Sequence, residues 1–298
     1  MLLRTLGTAA GGGVPQWNCA CPGCTGARAH PGWRRRHDCL AVLGAAPGSW
    51  VLVNATPDIA DQLQDQDELR PGAGEDRTPI VRIVLTDAEL DHTLGLFRLR
   101  EARHLEITAT APVRRALTER LRLDEVLGPY TTLTWRELPL AGEGTVDLAG
   151  IEVDALPLSA KRPRYAAGEP PEAGWSVAVR LRDPATGGTA LYAPALAEWS
   201  ESFENAVTGV DCAFVDGTFW DDEEPRSTGI STRTATGMGH LPVSGPDGTA
   251  DRLAKTGTRC FYTHLNNTNP LVDPAAPQHA LLGAPAPAVA QEGMEVSL

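Results

Sequence analysis

Short runs of apolar residues, rich in Val, Ile, Leu and Thr, alternate along the chain with turn-forming residues. Such runs predict β-strands, and they cover residues 2–6, 49–53, 80–86, 105–110, 150–156, 176–181, 189–192, 212–216 and 258–263. Apolar residues recur with helical spacing at residues 59–69, 93–103, 112–127 and 247–255. Because strands and helices are mixed throughout, the pattern predicts an α/β fold in which helices cover sheets.

Three segments with few periodic apolar residues predict loops, at residues 71–79, 161–174 and 274–290. The acidic residues 221–225 are interpreted as a fourth, solvated loop. No internal repeat and no sharp change of composition divides the chain. We therefore expect a single domain over residues 1–298.

Composition and charge restrict the function. The chain has 298 residues, of which 42% are hydrophobic and 21% charged, enough for a substantial core and too apolar for disorder. Acidic residues outnumber basic ones 38 to 26, and the net charge of -12 repels nucleic acid and anionic membranes. Without a long apolar run or a secretory leader, the sequence predicts a cytoplasmic protein with a small-molecule partner.

Half of the six cysteines stand within six residues, as Cys19, Cys21 and Cys24. Three thiolates at this spacing can bind one tetrahedral zinc ion when a fourth ligand comes from elsewhere in the chain. The sequence therefore predicts a structural zinc loop at about residues 17–26. The other three cysteines lie in apolar surroundings and are expected to be small buried hydrophobic residues.

Polar residues with metal-binding chemistry follow two of the predicted strands. Asp91 and His92 come shortly after the strand at residues 80–86, and His264 directly follows the strand at residues 258–263. Ligands in α/β sheets bind beyond strand ends, which favours a site here. The alternatives are a helix N-terminus capped by Asp and a turn stabilised by side-chain hydrogen bonds.

These residues resemble a known family. Asp91-His92-Thr93-x-Gly95-Leu96 resembles the second half of the metallo-β-lactamase signature HxHxDH, and His264 resembles the last metal ligand of that superfamily. More specifically, the chain is similar to the coenzyme PQQ synthesis protein B family, in ordered blocks at residues 7–19, 54–59, 192–194, 215–218, 232–234, 238–241 and 264–270. The resemblance implies a four-layer αβ/βα fold, with two facing sheets and outer helices.

The resemblance also implies that one of the two metal sites of the hydrolytic members is lost. Asp87 and Glu89 stand where the first two histidines belong. Ala160 and Pro194 stand near the positions of the third histidine and the bridging aspartate. The ligands of the second site remain, which are Asp91, His92 and His264.

Two histidines and one carboxylate with open positions are a usual ligand set for non-haem Fe(II), which takes O2 as co-substrate. The family implies hydroxylation of the tyrosine ring in a glutamate-tyrosine unit, on the route to pyrroloquinoline quinone. One alternative is a mononuclear zinc hydrolase in which Asp87 or Glu89 activates water. Another is a non-catalytic carrier of the finished quinone.

Further residues receive roles in this hypothesis. We expect Asp87 or Glu89, with Asp87 favoured, to orient the substrate or to transfer a proton at its phenol. His240 is expected in proton transfer or in a hydrogen-bonded turn. The predicted substrate-binding residues are Ser159, Lys161, Arg162, Asn266 and Asn269.

The fourth zinc ligand is left open by the sequence. Related phosphodiesterases take it three residues after the last active-site histidine, and that position is Asn267 here. The candidates are Asn267, His240 and water. The sequence also leaves a homodimer open.

Overall fold

The computed structural model describes residues 1–46, 48–72, 74, 81–282 and 287–298. Its strands are β1 Leu2–Gly7, β2 Cys39–Leu43, β3 Trp50–Val53, β4 Val81–Val84, β5 His104–Ala109, β6 Thr132–Glu137, β7 Val146–Leu148, β8 Ile151–Ser159, β9 Ser176–Arg182, β10 Thr189–Ala193, β11 Cys212–Asp216, β12 Arg259–Thr263, β13 Ala288–Val289 and β14 Glu295–Ser297.

The helices are short. The α-helices are α1 Pro22–Ala29, α2 Ile59–Gln64, α3 Leu90–Thr93, α4 Gly95–Arg98, α5 Ala111–Arg115, α6 Leu123–Leu127, α7 Glu201–Thr208, α8 Glu224–Ser227, α9 Ala235–Met238, α10 Ala250–Thr256 and α11 Gln278–Leu281. A π-helical turn covers Ala116–Arg120, and 3₁₀ turns cover Pro31–Trp33, Asp67–Leu69, Arg164–Ala166 and Pro270–Val272.

The strands form two seven-stranded sheets, and the described chain divides into two compact units. Unit 1 comprises Met1–Leu6, Cys39–Thr189 and Gly293–Leu298, and unit 2 comprises Gly7–Asp38 and Ala190–Glu292. The expectation of one domain over residues 1–298 stays a prediction.

Unit 1 contains a mixed sheet with the strand order β14-β1-β2-β3-β4-β5-β6. Strands β3 to β6 run parallel, so their carboxyl ends meet at one edge. The core that covers this sheet joins strand residues such as Ile83 and Ile107 to helix residues such as Leu96 and Val113, all fully buried. Strands β7, β8 and β9 add an antiparallel set to this unit.

Unit 2 contains the parallel strands β10, β11, β12 and β13. Phe214 and Phe261 stack across β11 and β12 with ring centroids 5.5 Å apart. Because β11 and β12 are parallel neighbours, the residues that follow Asp216 and Thr263 leave the sheet at the same edge. This edge carries the polar residues of unit 2 described below.

The nine predicted strands are confirmed, with bounds that move by at most three residues where they are described; residues 79 and 80 lie outside the described residues. Strands β2, β6, β7, β13 and β14 were not predicted from the sequence. The long predicted helix at residues 112–127 is divided into α5, the π-helical turn and α6. The left-handed value φ 55° at Arg122 separates the π-helical turn from α6. The helix predicted at residues 93–103 is two short helices that begin earlier, at Leu90.

Two loop predictions need correction. Residues 274–290 contain α11 and β13, while residues 283–286 and most of residues 71–79 lie outside the described part of the chain. The acidic segment is not fully solvated, because Glu224 is only 4% exposed. Its carboxylate accepts hydrogen bonds from the Trp220 N–H and the Thr268 hydroxyl. In the described residues, every helix is too short or too polar to span a bilayer.

Candidate active site and metal centres

In unit 1, the chain that leaves β4 carries the first polar cluster. Asn54, which follows β3 with φ 70°, accepts the Thr86 N–H at 3.1 Å and so ties two neighbouring strand ends together. The chain then turns into α3, which begins at Leu90 and contains Asp91 and His92. This turn places both predicted metal ligands of unit 1 directly beyond the sheet edge.

Asp87 supports the imidazole of His92. Asp87 Oδ2 lies 2.7 Å from His92 Nδ1, and both side chains are buried. Asp87 Oδ1 accepts the Glu89 N–H at 2.8 Å, and the Thr86 hydroxyl lies 2.9 Å from Oδ2. Burial alone would raise the pKa of Asp87, but the charge and hydrogen bond of His92 outweigh it and lower that pKa.

The geometry of this pair leaves Nε2 as the nitrogen with which His92 can ligate a metal. His92 Nε2 lies 3.8 Å from Asp91 Oδ2, and the Asp91 side chain is half-buried. Two ligand atoms on one ion, each about 2.1 Å from it, can be at most about 4.2 Å apart. Asp91 and His92 therefore fit a common ion.

Glu89 differs from Asp87 because its side chain is half-buried, and its contact with His92 is through the backbone, where the Glu89 carbonyl accepts the His92 N–H at 3.1 Å. Burial and the negative charge of Asp87 raise the pKa of Glu89, while the positive charge of Lys161 acts in the opposite direction. Tyr165, from the same segment as Lys161, donates its hydroxyl to the Ala88 carbonyl at 2.6 Å. The segment at residues 161–174 is thus fixed against the Asp87 turn.

In unit 2, a second cluster forms where β11 and β12 end. Asp216 is fully buried, and its Oδ2 lies 2.7 Å from Nδ1 of His240. The Thr218 hydroxyl lies 2.6 Å from Asp216 Oδ1 and 2.8 Å from Nδ1 of His264. The rings of His240 and His264 are nearly parallel, with centroids 5.7 Å apart and planes at 14°.

Backbone and electrostatics both fix this cluster. His264 has φ 58°, a conformation that non-glycine residues seldom adopt, so its ring direction is set by a specific turn. Burial alone would raise the pKa of Asp216, but the charge and hydrogen bond of His240 and the charge of His264 lower it. Asp216, His240 and His264 have metal-ligand chemistry and lie close together. An ion bound by all three would have to displace the contacts just described.

The three clustered cysteines also lie in unit 2, and their sulfur atoms are within 4.8 Å of one another. The side-chain amide of Asn267 faces all three, at 3.2 Å from Cys19 Sγ and 3.3 Å from the sulfurs of Cys21 and Cys24. Burial raises the pKa of the Cys24 thiol to about 11. Zinc binding therefore has to displace a proton there.

Among the candidates for the fourth zinc ligand, the geometry favours Asn267. Its amide oxygen and nitrogen can exchange places by rotation of the side chain, so Oδ1 can face the sulfurs. His240 is instead bonded to Asp216. Gly23 has no room for a Cβ, which would lie 2.2 Å from the Asn267 carbonyl oxygen, so glycine is needed for α1 to approach this loop.

Comparison with known proteins agrees with this arrangement. A family model described as a beta-lactamase superfamily domain matches residues 49–264. The chain is 42% identical over 307 residues to coenzyme PQQ synthesis protein B of Azoarcus sp. (strain BH72), with both sequences covered completely. It is 38% identical to that of Cupriavidus necator, with 99% of each covered. The chain belongs to the coenzyme PQQ synthesis protein B family.

Solved structures support the same fold. The Zn(2+)-bound PqqB from Methylobacterium extorquens matches over all of both chains, with a TM-score of 0.88 and 29% identity. A diphosphatase from the PhnP family matches with a TM-score of 0.67 and 18% identity, which shows the fold alone. The expected metallo-β-lactamase fold is therefore confirmed for this member of the coenzyme PQQ synthesis protein B family.

Two of the residues predicted to contact substrate, Asn266 and Asn269, form hydrogen bonds within the protein. Asn269 is 1% exposed; its amide donates to the Gly217 carbonyl at 2.7 Å and its oxygen accepts the Leu271 N–H. Asn269 therefore forms the turn after His264 rather than a substrate contact. Asn266 donates to the Thr268 hydroxyl at 2.6 Å, within the same loop.

The predicted residues of the 159–162 segment lie in unit 1 with Glu89. Ser159 accepts the Lys161 N–H at 3.3 Å, and the Lys161 side chain is exposed. Arg162 donates to the Glu169 carbonyl, which ties it to its own segment. Of the three, Lys161 acts electrostatically on Glu89.

Asp216 and Thr218 were not predicted from the sequence as site residues, although they lie at the centre of the unit 2 cluster. A signal was present. The apolar strand β11 ends in Asp216-Gly217-Thr218, which is the same pattern of polar residues at a strand end that identified Asp91 and His264.

Proposed function

We propose that this protein acts in pyrroloquinoline quinone biosynthesis as an Fe(II)- and O2-dependent hydroxylase of the tyrosine ring in a glutamate-tyrosine-derived intermediate. The observation that carries the proposal is the contact between Asp87 and His92. It supports a site with a single metal, because the carboxylate at the position of a lost ligand orients a remaining one. Family membership supports the pathway.

The proposed active-site ligands are Asp91, His92 and His264. Two imidazoles and one carboxylate suit Fe(II) and leave coordination positions open. Fe(II) bound there would supply the activation of O2. The contribution of the chain is to present each imidazole in a fixed direction, by Asp87 in unit 1 and by the Asp216 cluster in unit 2.

We assign substrate contact in unit 1 to Glu89 and Lys161. Glu89 is half-buried and its raised pKa makes it a proton acceptor nearer to neutral pH than an ordinary carboxylate. It would hold the substrate amine or accept the phenol proton, while Lys161, with Ser159 and Arg162 beside it, would meet the substrate carboxylates. Asp87, which the sequence favoured for this role, has its Oδ2 2.7 Å from His92 Nδ1, and this contact supports a role in orienting His92.

His240 is the proposed proton-transfer group of unit 2. Its Nδ1 is held by Asp216 at 2.7 Å, which directs Nε2 to the opposite side of the ring. A histidine oriented by a buried carboxylate is a common general base. The zinc at Cys19, Cys21, Cys24 and Asn267 is proposed to be structural.

The net charge of -12 supports a small-molecule partner over nucleic acid or an anionic membrane. A cytoplasmic location and a homodimer stay predictions.

The test is reconstitution of metal-depleted protein under anaerobic conditions with Fe(II) or Zn(II), followed by a glutamate-tyrosine-derived compound with and without ¹⁸O2. Insertion of one oxygen atom from O2 into the ring leaves the other to be reduced to water by two electrons, so ascorbate is added to every reaction as the reductant. We expect turnover only when Fe(II) and O2 are both present, and ¹⁸O in the phenol product by mass spectrometry. Turnover with Zn(II) or without O2 would favour the zinc hydrolase. Tight binding of the quinone without turnover would favour the carrier.

A further inference from the structure

The carboxylate of Asp216 has a complete set of hydrogen-bond donors. Its Oδ2 accepts the Leu196 N–H at 2.8 Å and faces His240 Nδ1 at 2.7 Å. Its Oδ1 accepts the Thr218 N–H at 2.9 Å and lies 2.6 Å from the Thr218 hydroxyl. Two donors on each oxygen of a fully buried group indicate an ionised carboxylate that can only accept hydrogen bonds.

These contacts of Asp216 fix the direction in which the Thr218 O–H bond points. A hydroxyl has one hydrogen, and the contact of 2.6 Å with a carboxylate oxygen is where that hydrogen goes. Toward His264 Nδ1, at 2.8 Å, the Thr218 oxygen is then an acceptor. His264 must therefore carry its proton on Nδ1 and its lone pair on Nε2.

We propose that Thr218 is a positioning residue, which relays the charge of Asp216 to His264 and so fixes the imidazole tautomer that ligates the active-site metal through Nε2. The inference rests on the proposed role of His264 as a ligand. In unit 1 the carboxylate of Asp87 contacts His92 Nδ1 directly. In unit 2 the carboxylate of Asp216 and the hydroxyl of Thr218 together orient His264.

The division has a physical reason within unit 2. The Asp216 oxygen that faces imidazole is already used by His240 and the Leu196 N–H, so it has no further acceptor direction for His264. The Thr218 hydroxyl donates its hydrogen to Asp216 Oδ1, and its own oxygen then accepts the His264 Nδ1–H. One buried charge thereby orients two histidines.

The direct test is the tautomer of His264 in metal-free protein. Protein labelled with ¹⁵N in its histidines is measured by long-range ¹H–¹⁵N NMR at about pH 8, where an ordinary imidazole is neutral. We expect Nδ1–H on His264 in the unsubstituted protein and in Thr218→Ser, which keeps the hydroxyl. In Thr218→Val, which loses it, we expect a mixture or the Nε2–H form.

The matched control is Thr236→Val, which removes an exposed hydroxyl in unit 2 and should leave the spectrum unchanged. An Nε2–H tautomer in the unsubstituted protein would overturn the proposal without any variant. An unchanged Nδ1–H form in folded Thr218→Val would overturn it as well.

A second readout is Fe(II) affinity, measured by competition with a chromophoric chelator. Loss of a group that orients a metal ligand typically weakens binding by about 10–100-fold. We expect this loss in Thr218→Val and near-complete recovery in Thr218→Ser. Because neither readout uses turnover, failure of the hydroxylase proposal leaves the tautomer result intact, and equal Fe(II) affinity in all three proteins would contradict the relay.

Discussion

Asp87 and His92 form a buried pair in which Oδ2 and Nδ1 are 2.7 Å apart. The sequence resemblance places Asp87 where the two-metal enzymes have a histidine ligand. The contact shows what the carboxylate does in this chain, which is to hold the neighbouring imidazole. We therefore expect position 87 to orient a proposed metal ligand and not to bind a metal itself.

The first prediction concerns this pair. Asp87→Asn keeps the shape of the side chain and removes its charge, so His92 Nδ1 loses its charged hydrogen-bond partner. We expect Fe(II) affinity to fall at least about tenfold, the low end for a group that orients a ligand. The measurement is chelator competition on metal-depleted protein.

The control for Asp87→Asn is Glu89→Gln, which changes a carboxylate on the same turn. It should leave Fe(II) affinity unchanged and lower turnover, since we assign Glu89 to substrate. If Asp87→Asn bound Fe(II) as tightly as the unsubstituted protein, Asp87 would have no orienting role.

The second prediction concerns the cysteine cluster. Cys21→Ser should release zinc and lower the stability of the protein by more than about 1 kcal/mol, or roughly 2–4 °C in melting temperature. Asn267→His should instead tighten zinc binding, because imidazole is a stronger zinc ligand than an amide. Metal analysis and thermal denaturation provide the readouts, with the exposed substitution Asn18→Ser as control. Zinc retained in Cys21→Ser at an unchanged melting temperature would refute the structural site.

The third prediction follows from Glu224. Burial raises the pKa of this carboxyl from its ordinary value of 4.5 to about 7. Between these values the folded protein keeps a proton that the unfolded chain has lost, so the free energy of unfolding decreases as the pH rises from about 4.5 to 7. The full effect is on the order of 3 kcal/mol. Below about pH 4.5 both states carry the proton, so this decrease in the free energy of unfolding is absent.

Glu224→Gln should remove this loss of stability, because a neutral amide can form hydrogen bonds with the Trp220 N–H and the Thr268 hydroxyl. We expect the variant to be more stable than the unsubstituted protein at pH 8 and equally stable at pH 4.5 in urea denaturation. Glu223→Gln, on an exposed side chain, is the matched control. An unaltered pH profile in Glu224→Gln would mean that the pKa of Glu224 is the same in the folded and the unfolded chain.

The fourth prediction tests how tightly the His92 turn is packed. A Cβ on Gly95 would lie 2.1 Å from the Thr56 carbonyl oxygen, while Gly95 and His92 both bond the backbone of Ala55. Gly95→Ala should therefore cost about 1–3 kcal/mol of stability and weaken Fe(II) binding. Gly168→Ala, where a Cβ meets open space, should do neither. Equal denaturation midpoints for the two variants would show that the turn can shift at no cost.

Much of the fold was predictable because central strands are mostly apolar runs, as in β3 and the first four residues of β11. The edge strand β6 was missed because its alternating exposed residues, such as Thr132 and Thr134, give no such run. Helix lengths were overestimated because apolar spacing continues through Arg122, where the backbone reverses its handedness.

The candidate site was predictable to the level of residue type. The strand ends identified Asp91, His92 and His264, and the cysteine spacing identified the thiolate cluster. The partners could not be assigned, because contacts such as Thr218 to His264 join residues 46 positions apart and depend on parallel strands ending together. For the same reason the burial of Glu224 by Thr268 left no local signal.

The contact between Asp87 and His92 also limits how this site could be redesigned for two metals. A histidine at position 87 would add an imidazole to the turn, but it would remove the carboxylate that lies 2.7 Å from His92 Nδ1. One side chain cannot be both a ligand of a second metal and the acceptor for His92 Nδ1–H. A two-metal version of this site would therefore need a new acceptor for His92 as well as a new ligand.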